Sequence, residues 1–179
     1  MSVMKSISTS KKNLPEFLKN LQNSLFDPFE LLIEEVYLDE ESKEYNACYL
    51  KTKNIKFIFR TAKSTPKKIG QFVTLWKRSK NGPIEPFLYK DNIDLYIIET
   101  INQNKTGYFL FSKVVLNEKG ILFGKHIGKR GFRVYPSWDK PNNKQGITTQ
   151  KWQLSYFVES TDIKDNLKAL KTHLEIFIK

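Results

Sequence analysis

The sequence is short of the residues that usually announce chemistry. It has one cysteine, Cys48, and two histidines, His126 and His173, in 179 residues. A single thiol excludes an intrachain disulfide, and this set of sulfur and imidazole groups supplies no zinc spacing. Neither a Ser-His-Asp nor a Cys-His constellation is visible. Long apolar runs are missing as well: the longest are strand-like, such as residues 95–101, whereas a membrane span needs about 20 apolar residues. The lysines near the N-terminus are not followed by an apolar region, so no secretory leader is expected. The expected compartment is the cytoplasm, with Cys48 a buried structural thiol. The phosphate-loop spacing GxxxxGK[ST] is also absent, because Lys129 is followed by Arg130; this argues against nucleotide hydrolysis of that kind.

Acids are outnumbered. The formal net charge is +11, and it is unevenly placed. Residues 51–90 hold eleven Lys and Arg against Glu85 alone, and residues 121–155 hold seven against Asp139 alone. Residues 1–50 hold five against nine acids. Arginine is scarce beside lysine, yet all four arginines (Arg60, Arg78, Arg130 and Arg133) fall in the two basic segments. Arginine's planar fork of donors is something lysine cannot replace. A polyanion is therefore the expected partner.

Hydrophobic residues make up 40% of the chain and aromatics 13%, enough for one packed domain over residues 1–179. The first dozen residues are polar and expected to be loose. Leu14, Phe17, Leu18, Leu21 and Leu25 recur at helical spacing, with Asn13 as cap and Pro15 in the first turn. Residues 29–38 are either a second short helix or the lead into a strand. Residues 45–52 and 55–63 read as a hairpin, 70–78 as one strand, and Asn81-Gly82-Pro83 as a turn. Residues 93–101, 108–111 and 131–136 read as further strands, with one helical turn before Gly120. Thr148 or Thr149 would cap a helix through residues 150–158, and Asp162 a final helix. The fold class is α+β: a central mixed or antiparallel sheet flanked by N- and C-terminal helices.

Three segments can carry recognition. In residues 62–78, Lys63, Lys67 and Lys68 surround a turn, and Gln71, Lys77 and Arg78 follow on a strand; bare amides beside lysines suit phosphate. Trp76 on that strand is open to two readings, core residue or base-stacking platform. In residues 124–141, Lys125, Lys129, Arg130 and Arg133 stand among glycines, with Tyr135 and Trp138 close behind. Cations, glycines and aromatic faces are the parts of a surface for single strands. In residues 148–157, Gln150 and Gln153 share a helical face around Trp152, and glutamine can read a base edge. Among acids, Asp91 and Asp94 bracket the start of a strand and can hold Mg²⁺; Glu99, Glu34, Glu35 and Glu44 are further carboxylates.

The runs RTAKSTPKKIGQFVTLWKR, PIEPF, the Asp91/Asp94 pair, GKRGFRVYPSWD and TQKWQ resemble the MepB-like proteins, over roughly residues 45–157. That bacterial family is named for a gene beside a multidrug efflux pump and its repressor. The resemblance implies a restriction-endonuclease-like domain and a role with nucleic acid. A nuclease of that type needs (Asp/Glu)-x-Lys after a strand acid, with a metal between them. Here the segment ends at Lys63, and the position two before it is Thr61. The expected function is thus nucleic-acid binding, DNA or RNA, through the basic segments with Trp138 or Trp152 against a base. The alternatives are a Mg²⁺-dependent nuclease using Asp91, Asp94 or an N-terminal glutamate, with Lys63 stabilising developing charge, and an interaction module for an acidic protein with Trp76 and Trp138 in its interface.

Overall fold

A computed structural model describes residues 4–10, 13–80 and 82–165. The strands are β1 (Met4–Ile7), β2 (Glu35–Asp39), β3 (Cys48–Lys51), β4 (Lys56–Thr61), β5 (Lys63–Thr65), β6 (Lys68–Thr74), β7 (Trp76–Arg78), β8 (Ile84–Pro86), β9 (Leu95–Asn102), β10 (Lys105–Ser112), β11 (Gly131–Val134) and β12 (Phe157–Glu159). The helices are α1 (Glu16–Leu21), α2 (Lys113–Glu118) and α3 (Lys144–Gln153).

Seven strands form one mixed sheet in the order β1-β2-β3-β4-β9-β10-β12. Every pairing is antiparallel except β4 with β9. That parallel pair needs a long crossover. The crossover is where β5, β6, β7 and β8 lie, so the middle of the chain is folded outside the main sheet. β6 pairs there with β5 and with β11, and β7 pairs with β8.

The two central strands, β4 and β9, are buried on both faces, which is why they read as nearly continuous apolar runs. Their alternate residues divide the core. Phe57, Phe59, Leu95 and Ile97 face α1, where Leu18, Leu21, Leu25 and Phe26 cover them. Ile58, Tyr96 and Ile98, with Phe109 and Phe111 of β10, face the other way, onto Val73, Leu75, Leu116, Phe132 and Val134. Two apolar layers thus sandwich one sheet. Cys48 is buried in the α1 layer, and burial pushes its thiol well above the usual range.

Several boundaries differ from the sequence pattern. Pro15, not Asn13, precedes α1, and no side chain caps it. Past Leu21 the helix widens into a π turn and then a 3₁₀ turn at Asp27–Phe29. The buried Gln22 amide explains the change: it donates to Asp27 and to the Leu31 carbonyl, and accepts from Ile33. Residues 31–34 are consequently extended and lead into β2. Residues 4–7, expected to be loose, form the edge strand β1 on β2. Residues 70–78 split at Leu75: its N–H still meets the Arg130 carbonyl in the β11 register, and from Trp76 on the chain pairs with β8 instead. No glycine or proline marks that break. Asn143 caps α3 through the Gly146 N–H, ahead of Thr148 and Thr149. Residues 154–158 leave the helix, and Phe157 opens β12. The final helix expected after Asp162 lies outside the described residues. Among those described, no helix is long and apolar enough to cross a membrane.

Three acidic or basic side chains, Arg60, Asp39 and Glu99, are sealed among the described residues. Arg60, 2% exposed, donates to the Phe59 carbonyl and, at 3.4 Å, to Asp39, which is 4% exposed. Burial pulls the guanidinium below its ordinary range, against the pull of Asp39. Truncating one partner strands the other charge. Asp39→Ala should cost about 3–5 kcal/mol, read as a lowered urea midpoint; a loss under about 1 kcal/mol would show that the pair is not an anchor. Glu99, 3% exposed, shares the α1 face with Leu95 and Ile97 and accepts from Thr61 at 2.7 Å. Burial raises its pKa, and the Thr61 hydroxyl opposes that only in part. The folded state therefore keeps the Glu99 proton to higher pH than the unfolded chain. This stability is complete below the ordinary glutamate range and is lost as pH rises through the raised value. Glu99→Gln should raise the urea midpoint at pH 7 and change it little at about pH 4.

Candidate nucleic-acid interface

The two basic segments meet because β6 and β11 pair, with Gly131 opposite Thr74, Arg133 opposite Phe72 and Val134 opposite Gln71. On this small sheet the backbone makes one unusual approach. Gly70 has φ +84°, and a Cβ there would lie 2.6 Å from the Tyr135 ring. Only glycine fits that conformation and that contact. The Gly70 carbonyl accepts from Arg133 at 3.0 Å, and Thr65 accepts from the same guanidinium at 2.8 Å. Arg133 thereby fixes the β5–β6 turn, which carries Lys67 and Lys68.

α3 docks against the other side of β11 through Gln153, which is fully buried. Its carbonyl accepts from the Tyr135 N–H and its amide donates to the Arg133 carbonyl, both at 2.9 Å. Gln150 donates to the carbonyls of Pro136 and Asp139 and so holds the loop before α3. Trp152 packs on Phe111 and Tyr156 with one part of its ring exposed, and the Lys119 ammonium sits 5.3 Å from its centroid.

These elements enclose a cleft of about 560 Å³, within the ~300–1,000 Å³ typical of ligand sites. Lys67, Lys68, Lys119, Lys129 and Arg133 line it, and among the described residues no carboxylate does. Lys67, Lys68 and Lys129 are exposed and form no ion pair with a described residue. Trp152 and Phe132 contribute aromatic surface, and Asn142, Gln145 and Thr149 line the α3 side.

The expected contact residues therefore separate. Lys67, Lys68, Lys129, Arg133, Trp152 and Gln153 come together, Gln153 with both ends of its amide already committed. Lys125 and Arg130 are exposed nearby without lining the cleft. Gln71 is buried and donates to the Ile101 carbonyl. Lys63 pairs with Glu44 at 3.0 Å and lies over the Tyr45 ring. Lys77 is held by Asp91 and Glu85. Arg78 grips both oxygens of Glu41, and this holds the Glu41 carboxyl below its usual range. Trp138 packs edge-on against Phe157 away from the cleft, and Trp76 is half-buried on β7 opposite Pro86. Lys119, Asn142 and Gln145 were not among the expected contacts, and Thr149 was expected only as a helix cap; the amide-rich run 142–145 was the signal for Asn142 and Gln145.

The described acids are held apart by other partners. Asp91 accepts from the Leu88 N–H at 2.8 Å and from Lys77. Asp94 accepts from the Lys56 N–H at 2.9 Å. Glu35 is paired with Lys51 and Glu44 with Lys63. Thr61, standing where a nuclease of the implied type has its second acid, donates to Glu99 and accepts from Asn46. Among the described residues no three His, Cys, Asp or Glu side chains are grouped to hold an ion. With Asp91 and Asp94 committed to backbone and lysine donors, the described residues do not present the open carboxylate cluster that would hold Mg²⁺.

Comparison with known proteins agrees with the resemblance in the sequence. No curated protein matches the chain. A solved crystal structure of MepB is 34% identical, and the match covers 82% of this chain and 97% of that one, with a TM-score of 0.70. The MepB-like family model matches residues 39–159, which include every strand from β3 to β12, both basic segments and the whole lining of the cleft; the chain belongs to the MepB-like family.

Proposed function

We propose that the protein binds nucleic acid, its phosphates lying on the cations of the cleft between the β5–β6 turn, β11 and α3. One observation carries this reading: five basic side chains from three separate parts of the chain line a single concavity that holds no acid among the described residues. Convergent like charges repel one another, and a polyanion relieves that repulsion while releasing its own counterions. Lys67 and Lys68 supply mobile ammonium groups, and Arg133, anchored on Gly70 and Thr65, keeps their turn in place. An aromatic ring beside such cations suits nucleic acid better than a small inorganic anion. The carboxylates that cleavage would need are engaged in backbone and lysine contacts, so binding without cleavage is the function that these residues support.

With about five phosphate contacts, the logarithm of the association constant for a single strand should fall with the logarithm of salt at a slope of about −3.5. Replacing Lys67 and Lys68 together by alanine should make that slope shallower by about 1.4 and weaken binding most at low salt. Arg78→Ala, outside the cleft, should leave the slope unchanged. Fluorescence anisotropy with labelled DNA and RNA at several salt concentrations checks all three. A flat response in the wild-type protein would remove the proposal.

A further inference from the structure

We infer that the cleft admits an unpaired nucleotide and that the α3 wall reads its base, a refinement that rests on the nucleic-acid reading above. The lining is not uniform. Its charge comes from the β5–β6 turn, the end of α2 and the β11 strand with the residue leading into it, as Lys67, Lys68, Lys119, Lys129 and Arg133. The α3 side contributes no charged residue: Asn142, Gln145 and Thr149 line it with neutral donors and acceptors. None of these three side chains has a hydrogen-bond partner among the described residues. That separates them from Gln71, Gln150 and Gln153, whose amide nitrogens all donate within the fold. The Trp152 ring, also on α3, lines the cleft with them and has the Lys119 ammonium 5.3 Å from its centroid.

A nucleotide divides in the same way, into a charged phosphate, a flat ring and a polar edge. Phosphate matches the lysine side and the ring matches Trp152. The polar edge falls to free amides, which make two-point contacts with an edge offering a donor beside an acceptor, adenine above all. A duplex hides base faces in its stack and offers only groove edges, so it cannot place a base inside a concavity of about 560 Å³. The preferred ligand is therefore a single strand, or the unpaired end of a duplex, with adenine favoured over thymine.

The test uses the full-length protein and labelled strands of about 12 nucleotides, of adenine, of thymine, and folded as a hairpin. Single strands should bind at least about tenfold more tightly than the hairpin stem, and adenine more tightly than thymine. Asn142→Ala with Gln145→Ala should abolish the adenine preference while leaving the salt slope intact. Both residues are exposed, so the fold should survive the change. Hairpin binding equal to single-strand binding, with a slope that Lys67→Ala and Lys68→Ala reduce, would overturn the inference and leave the nucleic-acid function standing. An adenine preference that persists in the double variant would overturn the role of the α3 wall. Salt-insensitive binding, or none, would instead sink the nucleic-acid reading itself.

Discussion

The antiparallel pairing of Gln71–Thr74 with Gly131–Val134 is the constraint on which the rest of the site depends. About sixty residues separate these strands in sequence. Between them the chain runs through two further strands of the main sheet and α2 before returning. The pairing is made durable from both sides. Val73, Phe132 and Val134 are pressed into the second apolar layer beneath β9 and β10, while Arg133 and Gln153 close the polar edges above it. A cleft whose walls rest on packed strands and a docked helix keeps its shape before any ligand arrives, which lowers the ordering cost of binding.

Folding also sharpens the charge. In sequence, the positive surplus is spread through residues 51–90 and 121–155. In the folded chain much of it is neutralised locally. The turn at Glu40–Tyr45 provides Glu41 for Arg78 and Glu44 for Lys63, Glu35 takes Lys51, and Asp91 with Glu85 takes Lys77. The acidic N-terminal third thus cancels the flank of the basic middle. Among the cations left without an ion pair to a described residue are Lys67 and Lys68 at the β5–β6 turn and Lys129 before β11, and these share the cleft. Exposed pairs of this kind contribute little stability, so their larger consequence is where they leave the remaining positive field.

The sequence was legible where one pattern decides. Central strands β4, β9 and β10 stand out because they are apolar on both faces, and the fold class follows from them. It was not legible where tertiary contacts override local preference. The π turn after Leu21 goes with a buried Gln22 amide tied to Asp27, Leu31 and Ile33, and at Leu75 the chain leaves β11 to pair with β8. Periodicity shows neither set of contacts. The glutamines show the same limit. Helical spacing correctly puts Gln150 and Gln153 on one face of α3, but periodicity does not tell what that face meets. It meets β11 and its following loop, so these amides act as internal ties. The amides left free, Asn142 and Gln145, lie where the sequence shows only a polar loop.

The same limit governs the carboxylates, and it separates binding from catalysis. Strand parity puts Glu99 with Leu95 and Ile97 on the α1 face of the main sheet. The cleft is built from elements packed on the opposite face, against Tyr96 and Ile98. A buried carboxyl group that favours its proton therefore lies on one side of the sheet, and the unpaired cations on the other. An acid and a cation that act together on a phosphodiester must reach the same atoms. Here a layer of backbone and two layers of side chains stand between them. The architecture that gathers the positive charge is the one that keeps this carboxylate away from it.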